Sequence, residues 1–351
     1  MTIHELIRQR ILILDGAMGT MIQRYHLTED DFRGQRFKDI TSMLKGNYDV
    51  LNITHSDIVE EIHDKYLAAG ADLISTNTFN SQAVSQAGYQ LEDFTHEMAL
   101  EGARIARRAA DRYSTPTHPR FVCGSVGPTN KTCSISPNVN NPVLRKHHYD
   151  ELFKAYTEQM DALIAGGTDT FLIETIVDTL NAKAAIAAAM QSMERAGKTL
   201  PIMLSVTISN LTGNMPSGQT LQAFLADVSP YPIFSIGLNC SFGAKQMKPY
   251  LKELAHKAPY YISAYPNAGI PNSMGFYDET AETMGADIQE FIDEGIVNIV
   301  GGCCGTDETF IAEYARRAKD KRPPLMPLRN DNSANAPTAM PLSIDNAMKR
   351  G

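Results

Sequence analysis

Short apolar runs alternate along the chain with longer amphipathic stretches, and glycine or a carboxylate repeatedly marks the border between them. Ile11-Leu12-Ile13-Leu14, which follows a short opening helix, is the first such run and stops at Asp15-Gly16-Ala17-Met18-Gly19-Thr20. A run this short, bounded by turn residues, reads as a buried strand. From Thr54 the spacing changes. Ile58, Val59, Ile62, Tyr66 and Leu67 share one helical face, Gly70 is placed to end that helix, and Asp72-Leu73-Ile74-Ser75-Thr76-Asn77 is the next strand. The same punctuation precedes Thr170-Phe171-Leu172-Ile173-Glu174 and Ile296-Val297-Asn298-Ile299-Val300.

Four further runs, at 121–125, 202–206, 234–238 and 260–264, bring the candidate strands to eight. Between them lie helical stretches, among them the alanine-rich 178–196 and the face formed by Leu152, Tyr156, Met160 and Leu163. Eight strand-helix units predict an α/β fold, a closed (β/α)8 TIM barrel forming a single domain over residues 1–322. An open doubly wound sheet is the alternative. The stretch from Asp15 to Asn47 is too polar for a core helix and reads as a long loop with short helical pieces, of the kind that serves a site. Residues 323–351 carry prolines and small polar residues without periodicity and read as a tail or interdomain linker.

Composition narrows the function classes. With 43% hydrophobic and 21% charged residues the 351-residue chain has an ordinary globular balance, which excludes disorder throughout. A net charge of −8 leaves no basic excess for nucleic acid. No apolar run reaches the length of a membrane span and the first residues lack a signal peptide's apolar core, so no membrane association is expected and the cytoplasm is the expected compartment. Five cysteines in so long a chain do not make a disulfide scaffold and point instead to reduced thiols with chemical or metal-binding roles.

In a barrel of this kind the loops after the strands form one rim, where function gathers. Here that rim would carry Asp15-Gly16, Asn77-Thr78, Glu174-Thr175, Asn239-Cys240, Asn267 and Gly301-Gly302-Cys303-Cys304. Glycines around Cys303 and Cys304 let both sulfurs turn toward one point, and Cys240 ends another strand on the same rim. Three thiolates with room for a fourth ligand match a zinc site that keeps one position open. Buried or redox-active thiols, and a phosphate cradle at Gly301-Gly302, are the competing readings. Cys123 and Cys133 read as packing residues, and His147-His148 as solvated. Asp15 and Glu174 each end an apolar strand, where they are either salt-bridged or capping groups, or a pair receiving a ligand's ammonium group.

LDGAMGTMIQ, TNTFN, GPTN, LIET, GLNCSFG, YPNAG and GGCCGT, in that order, resemble the homocysteine-binding (homocysteine S-methyltransferase) domain of cobalamin-dependent methionine synthase over residues 11–322. The resemblance implies a (β/α)8 barrel that binds Zn2+ and methylates the sulfur of homocysteine to give methionine. By resemblance Cys240, Cys303 and Cys304 are the zinc ligands, and Asn267 occupies or neighbours the fourth position when substrate is absent. Asp15 and Glu174, with Gly16, hold homocysteine, and Asn77 and Thr78 are secondary contacts. The resemblance also implies methylcobalamin as the methyl donor. Because the chain lacks the Asp-x-His-x-x-Gly cobalamin motif, that donor is expected on a separate cobalamin-carrying domain or protein. Sister families supply the alternatives of betaine or S-methylmethionine as donor. Two readings of other classes are a noncatalytic module binding zinc or a thiol metabolite, and a redox switch at Cys303 and Cys304.

Overall fold

The computed structural model describes residues 1–325 apart from 139, 142, 210–212 and 273–276. The first half of the chain runs α1 (Ile3–Leu6), β1 (Leu12–Ile13), α2 (Met18–Gln23), α3 (Glu29–Arg33), α4 (Leu51–Thr54), α5 (Ser56–Ala68), β2 (Leu73–Ser75), α6 (Ala83–Gln86), α7 (Thr95–Tyr113), β3 (Phe121–Val126) and α8 (Tyr149–Gly166). The second half runs β4 (Thr170–Ile176), α9 (Thr179–Ala196), β5 (Ile202–Val206), α10 (Leu221–Val228), β6 (Ile233–Asn239), α11 (Ala244–Lys257), β7 (Tyr261–Tyr265), α12 (Ala281–Asp293), β8 (Ile299–Val300) and α13 (Glu308–Ala318).

The eight strands are parallel in the order β1-β8-β7-β6-β5-β4-β3-β2. The two ends of that series meet. Leu14 bridges Leu73, Asp15 N–H donates to Leu73 O at 3.0 Å and Asp72 N–H to Ile13 O at 2.7 Å. The sheet therefore closes into a single-domain (β/α)8 barrel, and the open-sheet alternative falls. Two strands are shorter than the apolar runs that predict them. Ile296 and Val297 are buried against the surrounding helices before the chain joins the ladder at Ile299.

Period-two alternation sorts each strand into an outward and an inward series. Ile11, Ile13, Ile74, Val122 and Ile173 pack with the helices, whereas Leu12, Leu14, Leu73, Phe121, Cys123, Leu172, Met203 and Ile299 fill the interior. At the bottom of the barrel α1 adds Ile3, Leu6 and Ile7 to that interior cluster, and the edge of the His4 ring meets Phe234 with centroids 4.8 Å apart. Thr2 starts this short helix with a capping box to Glu5. Toward the top the inward series turns polar: Ser75, Ser125, Glu174, Ser205, Asn239 and Cys303 continue the rows that begin with apolar residues.

The segment after β1 forms α2 and α3, two short helices beside the rim. Beyond residue 325 the expected tail of 323–351 lies outside the described residues. Among the described residues no helix is long and apolar enough to cross a membrane.

Candidate metal and substrate site

Cys240 follows β6 and Cys303 and Cys304 follow β8, and their sulfurs lie within 4.8 Å of one another. Cys240 Sγ and Cys303 Sγ are 2.7 Å apart. The chain makes local concessions to bring them there. Cys240 and Ser241 sit at φ +54° and +61°, a left-handed conformation that costs a non-glycine residue about 1–3 kcal/mol. Ser241 Oγ steadies the turn by accepting Ile208 N–H at 3.0 Å. On the other side Gly302 N–H donates to Asp15 O at 3.0 Å, Cys303 N–H to Pro266 O at 2.8 Å, and the Thr306 hydroxyl to Cys303 O at 2.7 Å. Gly302 is required here because a Cβ would stand 2.3 Å from Thr306 Oγ1.

Hydrogen bonds from Cys240 and then Cys303 hold the Cys304 thiol below the ordinary thiol range, while hydrogen bonds to Cys240 and Cys304 hold Cys303 above it. The cluster on its own thus favours one negative charge, and a second or third thiolate calls for a cation. Three soft sulfurs of this spacing suit zinc. Asn267, in the loop after β7, is a candidate fourth donor, though it is not among the residues that line the cavity. Asn267 Oδ1 is buried without a hydrogen-bond partner among the described residues, and its neighbours are bonded to the cysteine loop, Pro266 O to Cys303 N–H and Ala268 N–H to Cys304 O at 2.9 Å. The residues present therefore fit the metal. Cys123 lies in the barrel interior and Cys133 against the helix layer, both away from this cluster.

The sulfurs open on a cavity of about 510 Å³ at the top of the barrel, which Asp15, Gly16, Asn77 and Glu174 also line. Asp15 accepts Ser75 N–H at 2.8 Å and the Ser75 hydroxyl at 3.0 Å. Burial pushes its carboxyl up to about 8, and the charge of Glu174 adds to the rise. Glu174 accepts the Ser125 hydroxyl and is pushed up to about 7, again by burial. Asn77 spends its side-chain amide on Tyr48 O at 2.8 Å and Asn52 Oδ1 at 3.0 Å. Thr78 turns away from the cavity, donating to Ser125 O at 2.8 Å.

Several residues of the site escape a reading of the sequence. Ser75 and Ser125 hold the two carboxylates, and their place on the inward rows of β2 and β3 was the available signal. Tyr66 lies deep in α5 and donates to Ala17 O at 3.1 Å, beneath the loop that follows Asp15. Asp49, pushed up to about 6 by burial, adds a third carboxylate to the cavity and accepts Asn80 N–H at 2.8 Å and the Ser81 hydroxyl at 2.7 Å. No lysine, arginine or histidine faces these three acids among the described lining residues.

The family model of homocysteine S-methyltransferase matches residues 12–318. Among solved structures, the chain is similar to the homocysteine methyltransferase MmuM from Escherichia coli. Its metallated form shares 19% identity, with 90% of this chain and 99% of that chain covered at a TM-score of 0.68. The oxidized form shares 18% identity, with 89% and 97% covered at a TM-score of 0.67. These likenesses correct one expectation. The matched fold is that of a homocysteine methyltransferase whose chain the barrel accounts for almost end to end, not of a domain of cobalamin-dependent methionine synthase. Methylcobalamin as donor and a cobalamin-carrying domain or protein as partner fall with it. The chain belongs to the homocysteine S-methyltransferase family.

Proposed function

We propose that the protein transfers a methyl group to homocysteine from a small onium donor, a methylsulfonium amino acid such as S-methylmethionine in preference to betaine, and releases methionine. The observation that carries this reading is the set of ionisable groups in the cavity, where the carboxyls of buried Asp15 and Asp49 and half-buried Glu174 stand beside three thiols with no cationic side chain among the described lining residues. An anionic donor would meet uncompensated repulsion there. A sulfonium amino acid carries a net positive charge, whereas betaine is neutral overall and brings a carboxylate without an ammonium N–H.

In this reading Asp15 and Glu174 receive the homocysteine ammonium beside Gly16, which fixes the direction of the thiol and lowers the entropic part of the barrier. Asn77 supports the same wall through its bonds to Tyr48 and Asn52. Cys240, Cys303 and Cys304 would hold zinc, with Asn267 at or beside the fourth position before substrate binds. The metal, when bound, supplies stabilisation of the substrate sulfur as thiolate at neutral pH. The sulfur lone pair then forms the new bond to the methyl carbon. The carbon–sulfonium bond breaks, its electron pair leaves with the donor as a neutral thioether, and the thiol proton passes to solvent. Reduced thiols of this kind suit a reducing compartment, and we place the protein in the cytoplasm.

The test is a donor panel on zinc-loaded protein, with metal content measured on the same sample. Methionine should form from homocysteine and S-methylmethionine, more slowly with betaine, and in proportion to bound zinc. Absence of methionine with both onium donors, turnover confined to methylcobalamin, or full activity in metal-free protein would overturn the reading.

A further inference from the structure

Asn239 is fully buried at the end of β6, directly before Cys240. Its Oδ1 accepts Thr175 N–H at 3.1 Å and the Ser205 hydroxyl at 2.7 Å. Its Nδ2 donates to Thr175 Oγ1 at 2.9 Å and lies 3.5 Å from Cys240 Sγ and 4.0 Å from Cys303 Sγ. The orientation is determined by chemistry. A backbone N–H can only donate, so the carboxamide oxygen must face Thr175 N, and the amino group is left facing the sulfurs.

The partners of this one side chain divide into two groups. Thr175 follows Glu174 and sits at φ +55°, and Cys240, at φ +54°, carries a sulfur of the cluster. Thr175 lies inside β4, where the register with β5 shifts between Ile173 and Ile176, and Cys240 directly follows β6; both are left-handed residues that are not glycine, a conformation that persists only where the surroundings over-determine it. Asn239 bonds to one and is peptide-linked to the other.

We propose that Asn239 is a positioning residue that sets the thiol cluster at a fixed distance from Glu174, by anchoring on Thr175 and directing its N–H groups at the sulfurs of Cys240 and Cys303. The inference rests on the reading of the three cysteines as metal ligands. An N–H aimed at a metal-bound sulfur draws charge from it and lowers the energy of its lone pair. The anchor on Thr175, the residue after Glu174, ties the cysteine end of β6 to the strand that carries that carboxyl.

The experiment compares cobalt(II)-loaded wild-type protein with Asn239→Asp, which keeps the shape and an oxygen facing Thr175 N but loses both N–H donors. The sulfur-to-cobalt charge-transfer band should move to longer wavelength. The KM for homocysteine should rise about tenfold, the cost of one lost hydrogen bond to a charged group, while the KM for the methyl donor stays unchanged. Ser205→Ala, which removes a bond to the far side of the same amide, should leave the band in place. An Asn239→Asp protein with an unmoved band and an unchanged KM, whatever its melting temperature, overturns the proposal. Should Asn239→Asp fail to fold, Asn239→Ser is read in the same way. Failure of both to fold also overturns it, by making Asn239 a residue of barrel stability. A wild-type protein without a charge-transfer band would instead remove the metal reading itself, and the inference with it.

Discussion

Asp72, just before β2 at the bottom of the barrel, and Asp15, just after β1 at the top, are hidden from solvent to nearly the same degree, at 2% and 4% exposure. Their surroundings differ. Asp72 is met by Arg10 at 2.6 Å, His118 at 2.8 Å and Arg120 at 3.8 Å, and accepts Ile13 N–H at 2.9 Å. Asp15 has only the backbone and hydroxyl of Ser75, with a second, half-buried acid, Glu174, close enough to raise it further. One end neutralises its buried charge within the fold. The other leaves an acid without a counter-charge, its carboxyl held protonated to higher pH, and holds Thr175, Cys240 and Ser241 in strained backbone besides. Sites whose charge is completed by a ligand look like the second case, and a buried carboxylate by itself does not tell them apart.

The widest separation of the two ends should come from Cys303→Ala. If the three sulfurs hold zinc as proposed, removing one of them takes away the stabilisation of the substrate thiolate, worth several kcal/mol, and methyl transfer should fall by about 10³-fold or more. The melting temperature of the metal-free protein should hardly change, because Cys303 only flanks the interior cluster. Retention of zinc stoichiometry and turnover in this variant would remove the top end's special status. At the bottom, Asp72→Ala should act in the reverse way. It strands Arg10 and Arg120 beside a lost counter-charge and should cost about 3 kcal/mol of stability in denaturant titrations. Its folded fraction should keep kcat and KM within about twofold of wild type, an effect inside the range of distant, independent sites.

Much of this contrast is legible in the sequence. The strands are short apolar runs with turn residues at their ends, so their number and the barrel they imply follow from periodicity. Asp15 and Glu174 stand out because each ends such a run, and the cysteines because two are adjacent between glycines. Other members could not be found this way. Ser75, Ser125 and Asn239 are ordinary polar residues whose importance depends on the strand beside them, and Tyr66 reads as one more apolar position on a helical face. The identity of the methyl donor was borrowed from a resemblance and proved the weakest part, since motifs around the thiols describe the acceptor's chemistry and say little about the donor's. Asp49, outside every motif, completes the charge pattern that speaks to the donor.

Asp15→Asn keeps the shape of the top end while removing its excess charge. If Asp15 receives the substrate ammonium as proposed, losing that charge-assisted hydrogen bond should lower kcat/KM for homocysteine by about 10- to 100-fold. The same variant should gain stability at alkaline pH. The folded-state carboxyl of Asp15 lies at about 8 against an ordinary 3.8, so the native state binds the proton more tightly than the unfolded chain. Stability must then decline as pH rises between those values. The neutral amide has no such penalty, and the melting-temperature difference between variant and wild type should widen from pH 5 to pH 9. A constant difference across that range would mean that Asp15 is compensated in the free protein after all.

Ser75→Ala tests the same charge more gently. The Ser75 hydroxyl donates to Asp15 Oδ1 and lowers its carboxyl, while the Ser75 N–H, at 2.8 Å from Oδ2, survives the substitution. The carboxyl should therefore move further up from about 8 without losing its place. If Asp15 receives the homocysteine ammonium as proposed, it must be ionised to do so, and binding should strengthen as pH rises through the range in which Asp15 and Glu174 lose their protons and should release protons to the buffer. In Ser75→Ala the midpoint of that rise should shift to more alkaline pH. At pH 7 the affinity should drop by about threefold, the equivalent of one neutral hydrogen bond at the weak end of its range. Calorimetric titration at several pH values, in buffers of different ionisation enthalpy, reads both the affinity and the protons released. An unshifted midpoint would place the proton-linked group elsewhere in the cavity, with Glu174 or Asp49 as the next to be substituted.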